Sequence, residues 1–240
     1  GDELWSVKLP DRIGSIAFHD VGVYVTAGLH LVAINNENGE IFWQQALEGS
    51  ADQVVIFQGL IYATSSVYDI EHNDFIDNAV WCFDVEGQKV WDTHMDERPW
   101  TIIATEDALM IGLGRPKMGA ATISQNGEVT HIELDSESPV TTGINSVNGV
   151  LFGHANGDLT TTTGKIFSGN NQSLNAICVS DRGAITLGCN NYITHLNPVF
   201  EQVWQVQPES ITAFSNGIVV EGCATVWVGC QDNLHGWLTV

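Results

Sequence analysis

Apolar residues along this chain fall in short runs, some alternating with polar residues and some continuous, and each run is closed by Gly, Asn or Asp. A period of two with frequent breaks predicts β-strands joined by tight turns, and no stretch sustains the 3.6-residue period of a helix. The clearest passage is Gly22-Val23-Tyr24-Val25-Thr26-Ala27-Gly28, then Leu31-Val32-Ala33-Ile34-Asn35-Asn36, then Asn38-Gly39-Glu40-Ile41-Phe42-Trp43. The same order returns in Trp81-Cys82-Phe83-Asp84-Val85-Glu86-Gly87-Gln88-Lys89-Val90-Trp91, in Ala121 to Val129, and in Leu159 to Phe167. Gly183-Ala184-Ile185-Thr186-Leu187-Gly188-Cys189 aligns without a gap on Gly217-Ile218-Val219-Val220-Glu221-Gly222-Cys223. Gly22, Gly59, Ala108, Gly149, Gly183 and Gly217 open the second strand of each copy, so six units fill the chain: 11–48, 51–96, 99–135, 139–170, 173–207 and 210–240, the last joined by 1–9.

A unit of this size holds four short strands and cannot bury a core alone, so neighbouring sheets must pack face to face. Radial closure covers every sheet and leaves few bare strand edges. The expected fold is therefore all-β, a six-bladed β-propeller of four-stranded antiparallel blades, with 1–240 as a single domain. Glu3-Leu4-Trp5-Ser6-Val7-Lys8-Leu9 matches Gln202-Val203-Trp204-Gln205-Val206-Gln207 and leads into a first strand at Gly14 to Phe18. It reads as a fourth strand, so the ring is expected to close by bringing the N- and C-terminal strands together. Either the Trp5 strand or the Trp237 strand could complete the sixth blade.

Gly39-Glu40-Ile41-Phe42-Trp43 and Gly87-Gln88-Lys89-Val90-Trp91, each following an apolar strand that ends in Asn or Asp, resemble the pyrroloquinoline-quinone-like (PQQ-like) repeat Asp-x-x-x-Gly-x-x-x-Trp. The resemblance implies that Trp5, Trp43, Trp91, Trp204 and Trp237 pack between adjacent blades and are structural. Three copies lack the tryptophan, at His131, at Ser168 and before Val240. Quinoprotein dehydrogenases with this repeat are larger propellers that carry a calcium-bound quinone beside a disulfide. This chain has neither their length nor a vicinal cysteine pair, so the nearer analogy is the non-enzymatic branch of outer-membrane assembly lipoproteins and sensor or scaffold domains.

Composition narrows the partners. Against 29 acidic residues stand 8 basic ones, for a formal net charge of −21. The basic residues are scattered, with Arg115 and Lys117 the closest pair, so neither nucleic acid nor an anionic membrane surface is an expected partner. The start, Gly1-Asp2-Glu3-Leu4-Trp5, has no basic and apolar leader pattern, and no run is long enough to insert in a bilayer. Cys82, Cys178, Cys189, Cys223 and Cys230 form an odd set without metal spacing and lie in apolar runs, as small buried hydrophobes do. These features favour a cytoplasmic home, or a secreted or periplasmic one if a leader has been removed, and a monomer in isolation.

The main irregularity is an insertion in the second unit, Ser66 to Asn78, between its second and third strands. In a propeller this connection shares a face with the linkers between blades, which places it near Met95-Asp96-Glu97-Arg98-Pro99-Trp100 and near Arg115-Pro116-Lys117-Met118. Loops on a rigid scaffold are common binding elements. The candidate partner-binding residues are Tyr68, Asp69, Glu71, His72, Asp74, Phe75, Asp77, Asp96, Trp100 and Arg115. Asp69, Glu71, Asn73 and Asp77 place oxygens at alternating positions, a weak calcium pattern; a helix-loop-helix calcium loop would want Gly at Asp74 and Glu at Val80. No other cofactor is expected. His154, Cys189 and Cys223 align, but equivalent positions in separate blades are too far apart to share an ion. No nucleophile elbow or phosphate loop is present, Gly112-Leu113-Gly114 lacking the following helix. The expected function is a non-catalytic scaffold that captures a basic protein partner through an acidic, loop-bearing face, with Tyr68, Phe75 and Trp100 as exposed aromatic anchors. The competing readings are a small-ligand or calcium-binding propeller and the sensor domain of a larger protein.

Overall fold

The computed structural model describes residues 3–169, 171–180, 183–188, 192–207, 213–214, 228–231 and 236–239. Among them there are strands and turns and no helix. Contacts divide the chain into two compact bodies, Gly1–Lys117 with Ala121–His131, and Met118–Ala120 with Ile132–Val240.

The first body is built on three antiparallel sheets. The first has β1 (Ile13–His19), β2 (Gly22–Ala27), β3 (His30–Asn35) and β4 (Ile41–Ala46) in chain order. The second has β5 (Ser50–Phe57), β6 (Leu60–Asp69), β7 (Asp74–Phe83) and β8 (Lys89–Met95), and the third has β9 (Pro99–Ala104), β10 (Leu109–Leu113), β11 (Ala120–Ile123) and β12 (Val129–Ile132). The middle strands carry the continuous apolar runs and are buried on both faces, as β2 is at every residue; β4 alternates exposed and half-buried residues and reads as an outer strand. One core cluster joins Tyr24, Leu31 and Ala33 of the first sheet to Ile61, Ala63 and Trp81 of the second. Another joins Tyr62, Val80 and Cys82 to Ile102, Leu109 and Ile111 of the third. The second sheet is thus sandwiched between the first and the third, the packing that the units lack individually. Cys82 behaves as a core hydrophobe, with burial pushing its thiol up to about 11.

The tryptophans of the repeat clamp successive turns. Trp5 Nε1 donates to Asn36 O at 2.9 Å, Trp43 Nε1 to Val85 O at 2.9 Å, and Trp91 Nε1 to Gln125 O at 2.7 Å. Each indole lies on the glycine of that turn, Gly39, Gly87 or Gly127, whose φ angles are +77°, +84° and +85°. A Cβ there would come within 2.8 Å of the Trp5 ring, 2.6 Å of Trp43 and 3.1 Å of Trp91. Glycine is therefore required twice, by the left-handed backbone and by the ring above it. Two residues beyond the tryptophan a second bond holds the turn, from Gln45 Nε2 to Gly87 O at 2.7 Å and from Thr93 Oγ1 to Gly127 O at 2.8 Å. The segment before β1, expected as a strand, has no ladder pairing among the described residues. Trp5 grips its turn nonetheless, and Val7 and Leu9 pack beside it on Val23, Val25, Val32 and Ile34.

The second body holds β13 (Val140–Ser146), β14 (Gly149–His154), β15 (Leu159–Thr161) and β16 (Gly164–Phe167) in one sheet. A further sheet has β17 (Leu174–Ser180), β18 (Gly183–Gly188), β19 (Ile193–Leu196) and β20 (Gln202–Val206). Leu151, Leu159, Leu174, Ile177 and Leu196 form the core between them. A last sheet has β21 (Ala213–Phe214), β22 (Val228–Gln231) and β23 (Gly236–Thr239). Trp204 stacks on its cross-strand partner His195 with centroids 5.4 Å apart. Trp237 pairs in register with Cys230. The Gly217–Cys223 repeat copy and Cys189 lie outside the described residues.

Candidate functional site

The insertion is not a loop. β6 and β7 simply continue, pairing Val67 with Ile76, Tyr68 with Phe75 and Asp69 with Asp74, so Ser66–Asn78 forms a two-stranded arm closed by Ile70–Asn73. β5 pairs with β6 up to Ser66 and β8 with β7 up to Asn78, so the arm leaves the sheet at those residues. A bulge sits at its root, where Asp77 has φ of +48°, and Asn73 with φ of +51° ends the tip.

A cation stack holds the arm down. The Arg98 guanidinium lies 3.5 Å from the Phe75 ring centroid and 3.7 Å from that of Trp100, and its Nη2 donates to Asp52 Oδ2 at 2.8 Å. Phe75 also meets Trp100 edge-on at 5.7 Å and Tyr68 at 5.1 Å. Burial pulls the Arg98 pKa below its ordinary value, and the Asp52 carboxylate opposes that pull. Gly114 lets Trp100 lie close: a Cβ there would stand 2.7 Å from the indole nitrogen. Phe75 and Trp100 are consequently half-buried and committed to Arg98, contrary to the expectation of two free anchors. Tyr68, Ile70 and Ile76 are the large apolar residues that the arm exposes. Replacing Arg98 by lysine keeps the charge but loses the flat face between two rings. The Arg98→Lys variant should lose about 1–2 kcal/mol in urea unfolding and show faster amide exchange over 67–76.

Two residues of the weak calcium pattern, Asp69 and Asn73, make local bonds. Asp69 Oδ1 accepts from the backbone of Glu71 at 2.8 Å, and Asp69 Oδ2 faces His72 Nδ1 at 2.5 Å. The His72 bond and the Glu71 amide hold the Asp69 carboxyl below its ordinary value. Asn73 Oδ1 accepts from the Tyr68 hydroxyl at 2.5 Å. Among the described residues no three His, Cys, Asp or Glu side chains converge on a metal position.

Asp74 reaches Arg115 at 3.9 Å, and the backbone oxygen of Asp96 accepts from Asn78 Nδ2 at 3.1 Å, so the arm, the 95–100 linker and the 115–118 turn do share a corner. Glu71 and Asp77 are exposed on the arm. The corner is not simply acidic. Arg98, Arg115 and Lys117 are three of the eight basic residues in the chain, and Lys117 and His131 stand over the buried Glu97. Glu97, Asn78, Ser66 and Asp52 escape a sequence reading, since nothing in the local pattern marks a charged linker residue as buried.

Face-packed, four-stranded antiparallel sheets clamped turn by turn through tryptophan define a β-propeller. The chain belongs to the family described as outer membrane protein assembly factor BamB, whose profile matches residues 1–186. No curated protein matches it in sequence. Among solved structures it is similar to a chain in the crystal structure of the mitotic checkpoint complex, with a TM-score of 0.70 at 12% identity over 92% of this chain and 70% of that one. It is also similar to BamB from Moraxella catarrhalis, with a TM-score of 0.53 at 14% identity over 95% of this chain and 82% of that one. At such identities the likeness speaks for the fold.

Proposed function

We propose that this propeller is a non-catalytic scaffold that captures a protein partner at the arm-bearing corner. The carrying observation is the arm itself. Two strands are extended out of a blade, pinned by the Arg98 stack, and present Tyr68, Ile70 and Ile76 to solvent among Asp69, Glu71, Asp74 and Asp77. A rigid element with apolar tips and a charged rim has the makeup of an interface core and its surround. The net charge of −21 steers basic partners toward the molecule before contact. Membership in a family described as an assembly factor, and a fold shared with a chain of the mitotic checkpoint complex, support the same reading.

The test must spare the root of the arm, because Ser66 and Asn78 are buried. Replacing 69–74 by Asn-Gly joins Tyr68 to Phe75 through a two-residue turn and retains the Arg98 stack. Pull-down from the native extract should lose its stoichiometric partner with this variant, while the melting temperature stays within about 3 °C of the parent. Undiminished capture would sink the reading.

A further inference from the structure

The root of the arm concentrates unmet hydrogen-bonding capacity. Ser66 and Asn78 are 1% exposed and Glu97 is 2% exposed, yet Ser66 Oγ, Asn78 Oδ1 and Glu97 Oε1 have no hydrogen-bond partner. Arg98 Nε is in the same condition. His19 Nδ1, elsewhere in the chain, is a further atom of this kind.

Backbone pairing makes the three residues neighbours. Ser66 stands at the bulge, opposite the two residues Asp77 and Asn78 of β7. Asn78 pairs with Met95 of β8, and its amide nitrogen is anchored on Asp96 O, one residue before Glu97. The charges above Glu97 do not satisfy it: Lys117 Nζ is 4.0 Å from Oε1 and His131 Nε2 is 3.9 Å from Oε2, both outside hydrogen-bonding range. Lys117 and His131 are themselves 68% and 41% exposed, so the cations nearest the carboxylate are surface side chains. Arg98 turns its guanidinium away, to Asp52 and the two rings.

Buried polar atoms are normally paired, and a buried carboxylate oxygen without a donor is among the costlier exceptions. The chemistry of the gap selects its occupant. Three acceptors, one of them anionic, repel a carboxylate or phosphate. A divalent metal would find a single carboxylate flanked by Lys117, His131 and Arg98. A primary ammonium brings one positive charge and three N–H donors on a compact head, one for each acceptor. We propose that Ser66, Asn78 and Glu97 form a receptor for the ε-ammonium of a lysine side chain presented by the protein partner, entering where Lys117 now lies. This rests on the partner-capture reading above and names the group that the corner recognises.

The probe is n-butylammonium chloride, titrated while NMR follows the Asn78 side-chain amide and the Glu97 carboxyl carbon, with n-butyltrimethylammonium as an ion of equal charge lacking N–H. The expected result is a saturable shift with the first ion and none with the second. Glu97→Gln should weaken binding about tenfold or more, and Lys117→Ala, which removes the competing cation from an exposed position, should tighten it several-fold. Equal response to both ions, undiminished binding by Glu97→Gln, or no saturable shift because ordered water alone fills the gap would each overturn the proposal. Should Glu97→Gln fail to fold, the direction of the Lys117→Ala change decides. The titration needs no partner, so its failure leaves the arm reading standing. Partner capture that survives the trimmed arm sinks that reading without touching the titration.

Discussion

Gly87→Ala should destabilise the protein by about 1–3 kcal/mol more than Gly59→Ala, read as the difference in urea unfolding free energy between the two variants. The pair is matched in backbone, since both glycines sit in tight turns between strands of the second sheet with φ of +84° and +77°. Alanine costs about 1–2 kcal/mol at either position, because the left-handed region crowds a Cβ against the following carbonyl. The surroundings differ. A Cβ on Gly59 meets nothing within 4 Å, whereas one on Gly87 would stand 2.6 Å from the Trp43 indole. Trp43 cannot withdraw freely, because its ring also meets Tyr24 at 5.8 Å and Phe83 at 6.3 Å and its nitrogen is bonded to Val85 O. The added methyl must therefore break the clamp between the first and second sheets or displace the core beside it. Equal losses in the two variants would show that the glycine serves its turn alone and that the indole above it is incidental.

The structural place of the tryptophans was legible through the repeat that the chain resembles, because the spacing from Gly39 to Trp43 and from Gly87 to Trp91 recurs; that each indole lies on the glycine of the next turn was not, since that contact joins separate units. The middle strands were legible for a similar reason. Burial on both faces demands continuous apolar runs, and turn residues bound them, so Gly22–Ala27 and His30–Asn35 fall within a residue of their expected limits. The arm was misread because Asp, Glu and Asn disfavour strands, and Tyr68 to Asp77 is rich in them. What carries β6 and β7 outward is the cross-strand pair of Tyr68 and Phe75 and the guanidinium of Arg98 beneath, a contact from a separate linker that no local period encodes. Burial of Glu97 was hidden likewise: Met95-Asp96-Glu97-Arg98 reads as a solvated run, and only the tertiary fold decides otherwise. The pattern of Glu3–Leu9 copies a fourth strand, and Trp5 makes a fourth strand's turn contact although no ladder forms there among the described residues.

In the second body, Asp158→Ala should cost about 2–4 kcal/mol at neutral pH, and lowering the pH should weaken the parent protein in two separate windows. Asp158 is 5% exposed, and its oxygens accept from Lys165 Nζ at 2.9 Å, Asn156 Nδ2 at 2.9 Å, Ser136 Oγ at 3.1 Å and the Gly169 backbone at 3.3 Å. Alanine would orphan all four donors, and Lys165 is partly exposed, which tempers the loss. Burial pushes the Asp158 carboxyl up, but the Lys165, Asn156 and Ser136 bonds outweigh it and hold the folded-state pKa below the ordinary 3.8. A depressed carboxyl stabilises the fold above its unfolded pKa, and that share is lost as pH falls below about 4. His154 acts earlier. It is fully buried, its Nδ1 donates to Ser138 O at 2.8 Å and its Nε2 lies 2.8 Å from Thr160 Oγ1, a hydroxyl that can donate to the neutral ring. Desolvation lowers its pKa from 6.5, so below pH 6.5 the unfolded chain takes up a proton that the folded one refuses, and stability falls by up to about 1.4 kcal/mol per pH unit. Urea midpoints at pH 7.5, 5.5 and 3.5 separate the two groups. His154→Gln should flatten the change between pH 7.5 and 5.5, and Asp158→Ala should reduce the change from pH 5.5 to 3.5. A parent-like slope in the upper window for His154→Gln would mean that the buried imidazole accepts its proton in place, and that desolvation does not hold it neutral.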